Sequence, residues 1–197
     1  MKLRVIATLV AVLAFGVGSA SAQSIGIFSD LGSASCNIAA PLYTPTTFYI
    51  NVIGSESILP ISGMTVAEFR VANTLNIGVT ALVTSVPNAA ANIPIGDPFV
   101  GGALLAFPVC QNGPSINLYA VNFTSINDAA NANQLLSVVA HNTPSNANFD
   151  CSLINLCDGP TFTSFCVAGG EAWLNSPTDC TVAVEEKSWG AVKTLFN

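Results

Sequence analysis

Charge is what this 197-residue sequence has least of. Lys and Arg together number 5, Asp and Glu 11, and one histidine completes the set, so charged side chains make up only 8% of the chain. So few cations cannot neutralise a row of phosphates, which excludes nucleic acid as a partner and disfavours an anionic membrane surface. A lone histidine, His141, and the lack of any Cys-x-x-Cys pair rule out a zinc tetrahedron. No Gly-x-Ser-x-Gly run is present, so the nucleophile elbow of a serine hydrolase is missing too. Beyond residue 22 no apolar stretch approaches the roughly 18 residues of a membrane-spanning helix. The irregular spacing of strand-like segments and the missing aromatic girdles argue against an outer-membrane barrel.

The first 22 residues read as a cleavable export signal. Lys2 and Arg4 form a positive start, Val5 to Phe15 is unbroken apolar sequence, and Ala20-Ser21-Ala22 offers the small side chains a signal peptidase admits. Cleavage before Gln23 removes two of the five basic residues and leaves Arg70, Lys187 and Lys193, taking the formal net charge from −6 to −8. The expected destination is secreted or cell-surface, with the periplasm as a further possibility. All six cysteines lie downstream of the signal, in what is then an oxidising compartment.

From Ser24 to Val184 short segments rich in β-branched and aromatic residues alternate with Pro, Gly and Asn clusters, the rhythm of an antiparallel sandwich. Thr46 to Ile53 places Phe48, Ile50 and Val52 on one face, and Tyr49, Asn51 and Ile53 on the other. Met64 to Val71 sets Ala67, Phe69 and Val71 against Glu68 and Arg70, whose charges mark a wet side. Further strands are expected at Ser24 to Asp30, Gly102 to Val109, Ser115 to Thr124, Gln134 to His141, Thr161 to Ala168 and Cys180 to Val184, with Ala172 to Leu174 as a short extra one. Ile77 to Val86 reads as a strand covered on both faces. Pro87 to Pro98, with three prolines, reads as a long loop. Residues 127 to 134 offer a helical turn, and Thr143 to Asn148 a turn-rich connector. In the last thirteen residues Trp189, Val192, Leu195 and Phe196 share one helical stripe. The expected organisation is therefore a signal at 1–22, an all-β sandwich at 23–184 and a short amphipathic helical tail at 185–197.

Six cysteines in an exported chain predict three disulfides among Cys36, Cys110, Cys151, Cys157, Cys166 and Cys180. Of the 15 connectivities the preferred one is Cys36 with Cys110, Cys151 with Cys157 and Cys166 with Cys180, which staples the loop-rich C-terminal part locally. Asp97, Asp128, Asp150 and Asp158 fall in predicted loops and are the calcium candidates, although none lies in an Asp-x-Asp-x-Asp-Gly run; no other cofactor is expected. Trp173, Tyr43, Tyr49 and Tyr119 are candidates for stacking on a sugar ring. Asn122-Phe-Thr124 is a glycosylation sequon within a predicted strand. His141 precedes Asn142-Thr-Pro at a strand end, the place of a turn histidine, and the five glutamates are scattered, so no catalytic constellation is predicted.

Thr46-Thr-Phe-Tyr-Ile-Asn-Val-Ile53, then a loop, then Ile61-Ser-Gly-Met-Thr-Val-Ala-Glu-Phe-Arg-Val71, resembles the opening of cohesin-type and carbohydrate-binding jelly rolls. In those domains an alternating strand is followed by a Gly-containing turn and a strand ending in a pattern such as Glu-Phe-x-Val. The clustered cysteines depart from ordinary cohesins, so neither dockerin binding nor any functional residue is carried over. Trp189-Gly-Ala-Val-Lys-Thr-Leu-Phe196 is similar to a C-terminal ending of exported bacterial proteins. The expected function is a secreted, non-catalytic binding or surface-structural module whose partner is an extracellular glycan, a protein or another copy. A carbohydrate-binding module and a small secreted hydrolase are the alternatives.

Overall fold

The computed structural model describes residues 23–54, 61–75, 77–127, 132–157 and 163–176. The expected signal, the strand at Cys180 to Val184 and the helical tail lie outside these residues. Twelve strands follow in order: β1 Gln23–Phe28, β2 Asn37–Ile38, β3 Pro45–Gly54, β4 Ile61–Ala72, β5 Ala81–Pro87, β6 Ile93–Asp97, β7 Gly102–Gly113, β8 Ser115–Ser125, β9 Gln134–Val139, β10 Ser152–Leu156, β11 Thr163–Gly169 and β12 Glu171–Leu174. The described chain is all-β. No helix of it is long and apolar enough to cross a membrane.

Two layers face each other as a sandwich. One is β1–β3–β8–β5, antiparallel throughout. The other is β6–β7–β4, where the long β4 then pairs with β10 through Met64 to Glu68 and with β9 through Arg70 to Ala72. β12 and β2 extend β9, while β11 joins β10 to β1 by a parallel step at Ser24 and Ile25. The hydrogen-bonded surface therefore turns from one layer into the other at β11. Its free edges among the described residues are β2, β5 and β6.

Alternation explains most of the core. Phe48, Ile50 and Val52 of β3 and Ile25 and Ile27 of β1 meet Ala67, Phe69 and Val71 of β4 and Leu105 and Phe107 of β7, all buried. Phe69 stands edge-on to Tyr119 from the opposite layer, with ring centroids 6.2 Å apart and an interplanar angle of 75°, a T-shaped pair.

Several expectations are corrected. Pro87 to Pro98 contains β6, because Pro94 sits on an edge strand where a missing N–H is harmless. β5 begins only at Ala81, and Val79, Leu82 and Val86 are exposed, so Ile77 to Val86 is not covered on both faces. Glu68 does not mark a wet side: it is 3% exposed. β10 lies in a stretch read as loop between cysteines, and two-residue β2 is too short to show a period.

The cysteine pairing also differs. Cys110 bonds Cys157 and Cys151 bonds Cys166, and Cys36 is disulfide-bonded as well. Cys180 lies outside the described residues. Cys151 and Cys157 bracket the extended strand β10, and six residue steps of about 3.3 Å hold them near 20 Å apart, far beyond the reach of a disulfide. Antiparallel pairing instead brings Cys166 of β11 beside Cys151. The Cys110–Cys157 bridge passes over Gly63 of β4, where a Cβ would sit 3.2 Å from the Cys157 sulfur. Gly63 also has φ +105, so this crossing requires glycine.

Candidate functional site

The outer face of β6, β7 and β4 carries exposed and half-buried apolar side chains brought together by strand register. Inward positions are taken by Leu105 and Ala103 of β7 and Ala67 and Phe69 of β4, so Leu104, Ala106, Val66 and Glu68 point outward. Strand register then builds two cross-strand rows. Ile93, Ala106, Val66 and Asn155 form one, across β6, β7, β4 and β10; Ile95, Leu104, Glu68 and Leu153 form the other. Ile93 is 48% exposed and Ile95 58%, while Leu104, Ala106 and Val66 are half-buried. Asn155 accepts a 2.7 Å hydrogen bond from the Ser164 hydroxyl of β11, giving the far end a neutral polar rim.

The second row is covered where it reaches β4 and β10. Glu68 accepts hydrogen bonds from the Ser145 backbone N–H at 2.7 Å and from the Ser145 hydroxyl. The buried carboxylate thereby pins the 142–150 connector on the sheet, and Leu153 is buried as well. His141 fixes the start of that connector. Its Nδ1 accepts from the Thr143 N–H at 3.1 Å, and its ring occupies the space a Cβ on Gly102 would need. Gly102, at φ +123, can hold this conformation without a side chain. The histidine is thus a turn residue packed on glycine, with one ring nitrogen directed into its own turn.

The sequence candidates do not converge. Tyr119 is 2% exposed, because a bulge opposite Ile50 and Asn51 turns both Leu118 and Tyr119 inward and breaks the alternation that sequence reading assumes. Its hydroxyl has no hydrogen-bond partner, and burial, aided by the negative charge of Asp97, pushes its pKa up to about 12. Tyr49 is half-buried on the outer face of the other layer, Trp173 is half-buried on β12, and Tyr43 is exposed in the turn after β2. These rings lie on separate elements rather than on one platform. Asp97 closes a turn by accepting the Phe99 N–H at 2.8 Å, Asp150 is exposed beside Cys151, and Asp128 and Asp158 lie outside the described residues. No three His, Cys, Asp or Glu side chains converge on a metal position among the described residues. Asn122 is exposed on β8, its amide oxygen accepting from the Thr47 hydroxyl at 2.9 Å. Sequence reading missed Ile93 and Ile95, and the alternation Ile-Pro-Ile was their one available signal.

No protein-family model matches the chain, and its sequence matches no curated protein. Among solved structures it is similar to the seventh ScaB type I cohesin from Pseudobacteroides cellulosolvens, with 8% identity, a TM-score of 0.49, and 79% of this chain and 94% of that one covered. It is also similar to a cohesin module of a family 33 glycoside hydrolase from Clostridium perfringens, at 12% identity and TM-score 0.46, covering 79% of this chain and 98% of that module. A non-cellulosomal cohesin from the archaeon Archaeoglobus fulgidus gives 8% identity and TM-score 0.42 over 77% of this chain and 90% of that one.

Proposed function

We propose that this chain is an exported, non-catalytic binding module that holds a protein partner against the outer face of β6, β7 and β4. The observation carrying this reading is the pair of in-register rows, which aligns Ile93 and Ile95 with Leu104, Ala106 and Val66 as one uncharged surface. Covering the exposed half of each isoleucine contributes about 1 kcal/mol from area alone. A partner with charges at the contact would desolvate them without counter-ions, so the complementary footprint is apolar and neutral.

A glycan platform needs aromatic rings sharing one surface. Tyr119 is interior and Tyr49 and Trp173 stand on different strands, which favours protein over carbohydrate. The test is capture from the extracellular fraction of the protein's own source by the full chain, Ile95→Asp and Leu82→Asp, with a polysaccharide panel alongside. A protein held by the wild type and by Leu82→Asp but lost with Ile95→Asp supports the reading. Equal capture by both variants, or saturable retention on a polysaccharide, overturns it.

A further inference from the structure

Among the free edges of the described residues, β5 is the one without a guard. The β6 edge carries Pro94 and ends on Asp97, and β2 is two residues long. Natural edges are blunted in those ways, by proline, charge or brevity. β5, Ala-Leu-Val-Thr-Ser-Val-Pro, has no charge and its single proline comes last. Indeed none of β1, β3, β8 and β5 contains a charged residue, in a chain whose formal net charge is −6. Mutual repulsion between copies is therefore weakest along this layer.

The backbone hydrogen bonds define what the edge offers. Thr80 accepts from the Ile126 N–H and the Asn88 N–H donates to Leu118, so even-numbered residues face β8. By the alternation of an antiparallel ladder, odd-numbered residues point their N–H and C=O outward. At one end the Ala81 C=O already accepts the Gly78 N–H at 2.7 Å, and at the other Pro87 has no N–H. Between them remain the N–H and C=O of Val83 and Ser85. The same strand leaves Leu82 54% and Val86 46% exposed on its outer face.

We infer that β5 pairs antiparallel with β5 of a second copy, about a two-fold axis at Thr84. In that register Val83 meets Ser85 of the other copy and exchanges both backbone hydrogen bonds, twice over, which satisfies every outward group between the two closed ends. Leu82 then lies directly across from Val86 of the other copy, so two apolar residues exposed in the monomer cover each other, and the two Thr84 side chains meet on the axis. The register that satisfies the backbone is the one that pairs the exposed apolar side chains. Pairing one short strand from each copy makes a small contact compared with a standard interface of roughly 1,600 Å², so the dimer is expected to be weak and to form only at high concentration.

Sedimentation velocity on the full chain from micromolar to millimolar protein tests it, with amide exchange read at the same concentrations. The wild type is expected to move to twice its monomer mass while the Val83 and Ser85 amides slow. Thr84→Glu, which sets like charges together on the axis, should weaken association about tenfold or more and recover with salt. Ser85→Pro, which deletes one outward N–H at a position facing away from β8, should weaken it similarly. Ile95→Asp, in the other layer, should leave it unchanged. A monomer at every concentration, a dimer whose Val83 and Ser85 amides stay unprotected, or association indifferent to both β5 variants overturns the inference.

Discussion

Replacing Tyr119 with Phe removes one oxygen from the core and nothing from the surface. The hydroxyl is enclosed without a hydrogen-bond partner, and the phenol's pKa rises from 10.0 to about 12 through burial first and the charge of Asp97 second. Below pH 10 the folded and unfolded chains both keep the proton, and the stability linked to Tyr119 is fully present. As pH climbs from 10 towards 12 the unfolded chain ionises while the folded one does not, so that stability is lost through the folded pKa. At about 1.4 kcal/mol per pH unit, the wild type should lose about 2 to 3 kcal/mol over this window because of this residue. Tyr119→Phe should lack that loss. At pH 8 it should equal or exceed the wild type, since an unpartnered buried hydroxyl stabilises nothing. Urea unfolding followed by tryptophan fluorescence, repeated from pH 8 to 12 with Tyr49→Phe as the control, reads the difference directly. Parallel pH curves for wild type and Tyr119→Phe would refute the reasoning, as would a penalty above about 2 kcal/mol at pH 8, which would mean that the hydroxyl has a partner.

The disulfides should differ in weight. Converting Cys110 and Cys157 to Ala together opens a loop of 47 residues and should cost about 4 kcal/mol in the chain-entropy account, against about 3 kcal/mol for Cys151 and Cys166, whose loop spans 15, as denaturant midpoints would show. Glu68→Ala should destabilise by about 1 to 3 kcal/mol and speed exchange of the Ser145 amide, because the connector loses the acceptor for both Ser145 donors; a change in stability with Ser145 exchange unaltered would detach Glu68 from the connector.

Sequence alone determined the elements whose evidence is local. Alternation in Phe48-Tyr-Ile-Asn-Val52 and Ala67-Glu-Phe-Arg-Val71 gives the faces of β3 and β4, since a strand's side chains must alternate whatever lies beside it. Scarce charge and a single histidine, His141, are composition, and they limit partners and chemistry before any fold exists. Everything that depends on a neighbour distant in the chain was decided only by tertiary structure. Glu68 looks solvated in sequence and is buried because Ser145, 77 residues away, folds over it. Tyr119 looks outward and is interior because one bulge shifts the pleat. Cys151 and Cys157 look like partners across six residues, yet the extended β10 between them holds them apart and delivers Cys166 instead. The apolar rows of Ile93 and Ile95 arise from register across β6, β7 and β4, and register is a relation between strands that no single segment encodes.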